Sequence, residues 1–260
     1  MQKISIKDFK NLKNLTQKKH RKQQQMLIIE GENIIFQLLD NHLKPEHIYI
    51  TESYLNTHYQ YLEKHISWSE DIKERIQLID PQKVKQVTDT ESPQDIIATV
   101  HFSPTPVNEN GRLLYLDGIQ DPGNMGTILR TALAAGIDGV LISPECCDVM
   151  NPKVVRSSLG AIFFCPLSFS NPEFLTQNHY HIIASTLADS KSIYELKNIP
   201  AKSVIVIGSE SKGISDILSQ NAHEKIHIPM TPKIESLNAA ISAAIILYYI
   251  KGIEINEYKS

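Results

Sequence analysis

The sequence predicts an α/β protein in which a smaller N-terminal α/β domain precedes a parallel sheet with helices on both of its faces. Three observations lead there. Strand-like and helix-like segments alternate through the C-terminal half of the 260 residues. Apolar runs in that half, such as Val204 to Ile207, lack the two-residue alternation of a half-exposed strand, so they suit strands covered on both sides. Between the halves lies SPTPVNENG, residues 103–111, whose prolines, asparagines and glycine are the composition of an exposed connector. It divides the chain into a first domain over residues 1–102 and a second over 112–260.

The first domain opens on a basic arm. From Lys3 to Lys22 it carries Lys3, Lys7, Lys10, Lys13, Lys18, Lys19, Arg21 and Lys22 against the single acid Asp8, although the whole chain has a net charge of −3. Phosphate binding needs such local clustering of cations, and Lys18, Lys19, Arg21 and Lys22 are the candidate RNA-binding residues. A solvated helix face is the plain alternative. LIIEG, HIYIT and DIIATVHF then read as short strands, and SYLNTHYQYLEKH as a surface helix. Hydrophobic residues at 42% and charged residues at 21% are those of a chain that folds into a core.

The second domain reads as LLYLDG, a helix from Asn124 to Ala135, GVLIS, a helix within Asn151 to Phe163, HIIASTL, VIVIGSE, KIHIPM and a long final helix. In parallel sheets ligands settle beyond the carboxyl ends of the strands. The loops that matter therefore follow Asp117, Leu187, Ile207 and Ile228. Cys146, Cys147 and Cys165 contain no Cys-x-x-Cys pair and read as reduced, packed thiols. No metal-ligand spacing is present. The start, MQKISIKDFK, lacks the apolar run of a signal peptide, and the apolar stretch Ala239 to Ile250 is too short to span a bilayer, so a cytoplasmic location is expected.

Three loops carry the candidate chemistry. In DGIQDPGNMGTILRTALAAG, Pro122 and Gly123 enforce a turn, Asn124 is suited to cap, and Arg130 falls about six residues further along the helix. A guanidinium there can reach a phosphate above the strand ends, or can be an ordinary surface arginine. In VIGSESKGIS, Gly208 and Gly213 bracket Ser209, Glu210 and Lys212, which lets a ligand approach the main chain. Neither phosphate-binding glycine pattern fits this loop, which argues against nucleotide hydrolysis and nicotinamide chemistry. In IPMTPKIESLNAAISAAIILYYIKG, Ser236 is suited to cap, and Leu237, Ala240, Ile241, Ala244, Ile245 and Tyr248 form one apolar face. Ala239, Ala243, Ile246, Leu247 and Ile250 fill most of the rest, so the helix needs cover on several sides, from its own domain or from another subunit. Asn238 at its start would cost about 1 to 3 kcal/mol if buried without a partner, so it holds a partner or faces a site.

These three segments resemble the sequence motifs of the SpoU-type, or TrmH-like, branch of the knotted RNA methyltransferases. The resemblance runs from Leu116 to Tyr249 and is carried by DPGNMGTILRTALAAG, IGSESKGIS, and IPM with ESLN eight residues after its isoleucine. KKHRKQQQMLIIEGENIIFQLL is similar to the substrate-binding domain often fused to that family. The resemblance implies a deep C-terminal trefoil knot, a rare exception to the rules of chain connection. It also implies S-adenosylmethionine as methyl donor, with Leu187, Gly208, Ile228, Ser236 and Leu237 as cofactor contacts, and a homodimer with sites near the subunit interface. The family's catalytic arginine corresponds to Arg130, with Asn124, Glu210, Ser236 and Asn238 as the polar set around it. The implied reaction is methylation of a ribose 2′-oxygen in structured RNA, ribosomal RNA ahead of transfer RNA, without a metal. A guanidinium holds its proton far above neutral pH, so the arginine acts either as a strongly perturbed base or as a phosphate clamp. Ser209 stands where asparagine is frequent, and Pro232, which has no backbone N–H, where glycine is frequent.

Two other classes fit less well. A non-catalytic RNA-binding or ribosome-assembly factor on the same scaffold has no need of Arg130, Glu210 and Asn238 together. A small-molecule enzyme of ordinary doubly wound type leaves the basic arm unexplained.

Overall fold

The computed structural model describes residues 1–65 and 74–257. It separates into two compact units, one of residues 1–103 with 150–160, the other of residues 104–149 with 161–260. The first unit thus includes a short segment from well beyond the connector.

The first unit is built on a five-stranded mixed sheet in the order β1-β4-β3-β5-β2, from Gln2–Lys3 (β1), Met26–Glu30 (β2), His47–Ile50 (β3), Ile76–Leu78 (β4) and Ile96–His101 (β5). β5 pairs antiparallel with both β2 and β3, setting Thr99 opposite Ile28 and His47. The basic opening folds as two helices, Ile6–Asn14 (α1) and Lys18–Gln24 (α2). Ser5 caps α1 by accepting from the Asp8 N–H. Leu12 of α1 packs with Ile4, Tyr49, Ile79, Val84, Val87 and Ile97 in one buried cluster. Glu32–Asp40 (α3), Glu52–His65 (α4) and the short Pro81–Val84 (α5) complete the residues before the connector.

The second unit holds a seven-stranded sheet, parallel throughout, in the order β10-β12-β9-β11-β6-β7-β8. Its strands are Arg112–Asp117 (β6), Gly139–Ile142 (β7), Leu167–Phe169 (β8), His181–Ser185 (β9), Lys191–Ser192 (β10), Ser203–Gly208 (β11) and Glu224–His227 (β12). The five strands expected from the sequence are all present, and the short β8 and β10 are additions. Leu113, Tyr115, Val204 and Val206 pack with Leu175 and Leu218 on one face. Their alternating neighbours Leu114, Leu116, Ile205 and Ile207 are equally buried, which is why these runs show no polar alternation.

Helix Pro122–Ala135 (α6) follows β6, and the capping expectation needs correction here. Asp121, not Asn124, is the N-cap: its carboxylate accepts from the Asn124 N–H at 2.8 Å, with Pro122 at the first helical position. Gly136 ends the helix in the left-handed region at φ 77°, where a Cβ would be strained. Pro152–Ser157 (α7) belongs to the first unit. Glu173–Gln177 (α8) and Asp216–Asn221 (α9) carry Leu175 and Leu218. The last helix, Ala239–Glu257 (α10), starts after Asn238 rather than at Ser236. The Asn238 side chain accepts from the N–H groups of Ala240 and Ile241 and caps it. Helix α10 packs against α6 and β11. Ala239, Ala240, Ala243, Ile246, Leu247 and Ile250 are buried, while Ile241 and Tyr248 are about half exposed. No helix among the described residues is long and apolar enough to cross a membrane.

Candidate active site

β9, β11 and β12 end side by side, at Ser185, Gly208 and His227, and the chain turns outward after each. These turns and the start of α10 enclose a cavity of about 370 Å³. Its lining includes Leu187, Gly208, Ile228, Ser236 and Leu237, the five residues expected to contact a cofactor, together with Ile207, Met230 and Ala239. Apolar walls with the hydroxyls of Thr186, Ser209, Ser236 and Ser242 among them suit a ligand with a flat apolar part and a polar remainder.

The middle turn is tied down closely. Ser209 and Gly213 exchange backbone hydrogen bonds at 3.0 and 2.8 Å, with Gly213 at φ +67°. A Cβ on Gly208 would overlap the backbone of Gly213 and Ile214, so only glycine lets the turn fold back on its own strand. The Asp117 carboxylate at the end of β6 accepts from the Ser215 N–H at 2.6 Å and holds the far side of that turn. The sequence singles out the loop after Asp117 rather than the carboxylate itself, whose signal is an acid at the end of a parallel strand.

Asn124, Glu210 and Asn238, from three separate segments, form one hydrogen-bonded group. Glu210 Oε1 accepts from Asn124 Nδ2 at 2.7 Å, Asn238 Nδ2 at 2.9 Å and the Ala239 N–H at 3.1 Å. Asn238 Nδ2 also donates to Asn124 Oδ1 at 3.0 Å. One carboxylate oxygen therefore draws the starts of α6 and α10 together, next to the cavity that Glu210 itself lines. Asn238 is exposed rather than buried, and its amide is nonetheless fully used.

Arg130 is not brought into this group. It lies six residues after Asn124 on α6, which is about 9 Å along the axis and on another side of the helix at 100° per residue. Its side chain is exposed and makes no hydrogen bond or ion pair among the described residues.

On the basic arm, Lys18, Lys19 and Lys22 are exposed, whereas Arg21 departs from the expectation of an RNA contact. It is 5% exposed and its Nη1 donates to the carbonyls of Thr16 at 2.8 Å and Leu15 at 3.3 Å, so this guanidinium ties the turn between α1 and α2. The three cysteines are free. Burial pushes the Cys147 thiol up to about 11 and that of Cys165 to about 12, as expected of packed thiols rather than nucleophiles. Among the described residues no group of His, Cys, Asp and Glu could hold a metal ion.

Residues 111–248, more than half of the chain, match the SpoU rRNA Methylase family. The chain belongs to that family. Residues 7–98 match the MRM3-like substrate binding domain. Over 249 residues, 92% of this chain and 88% of the relative, it is 30% identical to an uncharacterised tRNA/rRNA methyltransferase of Synechocystis sp.. It is 29% identical over 253 residues to the 23S rRNA (guanosine(2553)-2′-O)-methyltransferase RlmP of Bacillus subtilis, covering 95% and 96% of the two chains. The AdoMet-bound rRNA methyltransferase of Sinorhizobium meliloti shares the fold, with a TM-score of 0.79 and coverage of 97% of each chain at 24% identity. In this SpoU methylase, Ser209 serves its turn by accepting from the Lys212 N–H at 3.1 Å. Pro232 sits exposed in the loop before α10, outside the residues that line the cavity.

Proposed function

We propose that this chain transfers a methyl group from S-adenosylmethionine to a ribose 2′-hydroxyl of structured RNA, ribosomal RNA ahead of transfer RNA, as a cytoplasmic homodimer. The observation that carries the reading is the single cavity lined by the turns after β9, β11 and β12, which include two of the three family segments, with the Asn124–Glu210–Asn238 group, which brings in the third, at its edge. Such a cavity fits the methyl donor: Leu187, Ile228 and Leu237 supply apolar contact, Ser236 a hydroxyl, and Gly208 the close approach to main chain. When bound, S-adenosylmethionine supplies a methyl group activated by its positive sulfonium. The 2′-oxygen must be held in line and its proton removed. Glu210 and Asn238 are positioning residues, because their hydrogen bonds hold the starts of α6 and α10 at the cavity's edge. Arg130, exposed and unpaired, is assigned as the clamp on an RNA phosphate rather than as the base.

Two features support a site completed by a second copy. Arg130 stands apart from its own chain's polar group, and Ile241 and Tyr248 leave an apolar face of α10 uncovered in one chain. The connector at residues 103–111 is the proposed boundary between an RNA-binding domain over 1–102 and the methyltransferase domain over 112–260. The trefoil knot is part of the same reading. The sheet order β12-β9-β11-β6, in which β11 lies between two strands that precede it in the chain, supports it.

Isothermal titration with S-adenosylmethionine tests the cofactor assignment, with a Leu237→Asp variant alongside. Saturable binding weakened about tenfold or more in the variant is the expected result. Equal binding by both chains would remove the cavity from the account, and absence of binding would favour the non-catalytic RNA-binding reading.

A further inference from the structure

The first unit contains a second cleft, partly open to solvent and of about 320 Å³, between α1 and the sheet. His47 and Thr99 are direct partners across β3 and β5, and Tyr49 is two residues on from His47, so all three side chains rise from one face of the sheet. Asp8, Asn11 and Leu12 of α1, with Leu15 just beyond it, close the space from above, and Gln24, Met26 and Glu46 complete its lining.

One polar atom on its wall, the Nδ1 of half-buried His47, makes no hydrogen bond among the described residues. Thr99, 2% exposed, lies opposite His47 in the next strand with its hydroxyl against the Tyr49 phenol. Leaving a buried nitrogen unpaired costs stability, and a polar edge entering the cleft would pair it. Burial pushes the Tyr49 phenol up to about 12; its hydrogen bond with the Thr99 side chain opposes this and the carboxylates of Asp8 and Glu46 add to it, so the phenol stays neutral. His47 and Tyr49 present tilted rings with centroids 6.0 Å apart.

The charge pattern selects the ligand. Two carboxylates and no lysine or arginine line the space, which excludes a phosphate and favours a neutral planar group with amino or imino donors. Outside it the pattern reverses. Lys7 and Lys10 on α1 and Lys18, Lys19 and Lys22 on α2 are exposed and make no ion pair among the described residues.

We propose that this cavity holds one unstacked nucleobase of the RNA, with the lysines of α1 and α2 carrying the phosphates beside it. Proteins commonly read single-stranded RNA in this way, splaying a base out, hydrogen-bonding its edge and neutralising the backbone alongside. The inference rests on the RNA reading above, and it gives the first unit a sequence-reading role in addition to an electrostatic one.

The test uses the full chain, unmodified ribosomal RNA transcribed in vitro, and two variants. Thr99→Val removes a hydroxyl from the cavity wall at constant shape, and Asn11→Trp fills the cavity from an exposed helix position. The dissociation constant for RNA is expected to rise about five- to tenfold in Thr99→Val and further in Asn11→Trp, from the loss of buried polar contacts. Thr99→Val loses no more than about 1 kcal/mol of stability, and S-adenosylmethionine binding is unchanged in both. The slope of affinity against salt also stays constant in Thr99→Val, because no phosphate contact is lost, whereas Lys10→Ala and Lys18→Ala reduce it. RNA affinity unchanged in both cavity variants, with a wild type that methylates, would overturn this inference alone. A wild type that binds no RNA would overturn it together with the functional reading. Titration with adenosine, guanosine, cytidine and uridine separates the sources: nucleoside binding lost in Thr99→Val while RNA affinity is untouched would assign the cavity to a free small molecule and overturn the RNA base.

Discussion

The two cavities are built by opposite means. In the second unit the walls are turns at the ends of neighbouring parallel strands, and a few consecutive residues shape each wall. In the first unit the walls are single side chains from α1, β3 and β5, separated in the chain by as much as the interval from Asp8 to Thr99. A site made from turns leaves contiguous traces in sequence, since glycine, proline and capping residues must stand where the backbone bends. A site made from paired strands is written in register, and register is invisible until the sheet is formed.

The largest expected effect lies in the second unit. Arg130→Ala should lower kcat by about 100-fold or more while S-adenosylmethionine binding is retained, since the role proposed for it is to orient RNA rather than the methyl donor. Single-turnover methylation beside calorimetric cofactor binding checks both parts. Next, Gly208→Ala should cost about 1 to 3 kcal/mol of stability and most of the cofactor affinity, since the added methyl overlaps the Gly213 backbone. Thermal unfolding and titration read the two losses separately. Equal behaviour of Gly208→Ala and wild type would break the contrast between a turn-built and a side-chain-built cavity.

Glu210→Ala should cost about 1 to 2 kcal/mol by removing an acceptor shared by three donors, and should lower methylation more than it lowers cofactor affinity. The smallest effect concerns pH. Burial raises Glu224, but hydrogen bonds from Lys191 and His181 outweigh it and leave the carboxyl below its usual range. Its stabilisation is therefore present above the ordinary carboxylate value and is lost as pH falls through the lower folded value. Glu224→Gln should flatten the acid limb of a stability-against-pH profile. In the first unit Asp89, lowered chiefly by its hydrogen bond from Arg156, should give the same sign with Asp89→Asn.

Most of the second unit was legible before the structure. Unalternating apolar runs announced strands buried on both faces, and the five turn residues of the cofactor set do line one cavity. The caps were misread by two or three residues, because Asp121 and Asn124 both have capping chemistry, as do Ser236 and Asn238; which one serves depends on where the preceding strand releases the chain. Strands β1, β4, β8 and β10 span two or three residues each, too few to show a period. Arg21 was read as a cation like its neighbours. Its inward turn follows from the packing of α2 against the sheet, which charge counting does not reveal. The outward Ile241 and Tyr248 and the inward Ala243 and Ile246 were indistinguishable in a helix apolar on nearly every side.

Methyl transfer to ribose at the cavity beside the start of α10 is tested most directly by incubating wild type and Arg130→Ala with methyl-labelled S-adenosylmethionine and unmodified ribosomal RNA, then mapping the label by nuclease digestion. Label is expected on a single ribose 2′-oxygen with the wild type and essentially none with the variant. Label on a base, or equal labelling by the two chains, would contradict it.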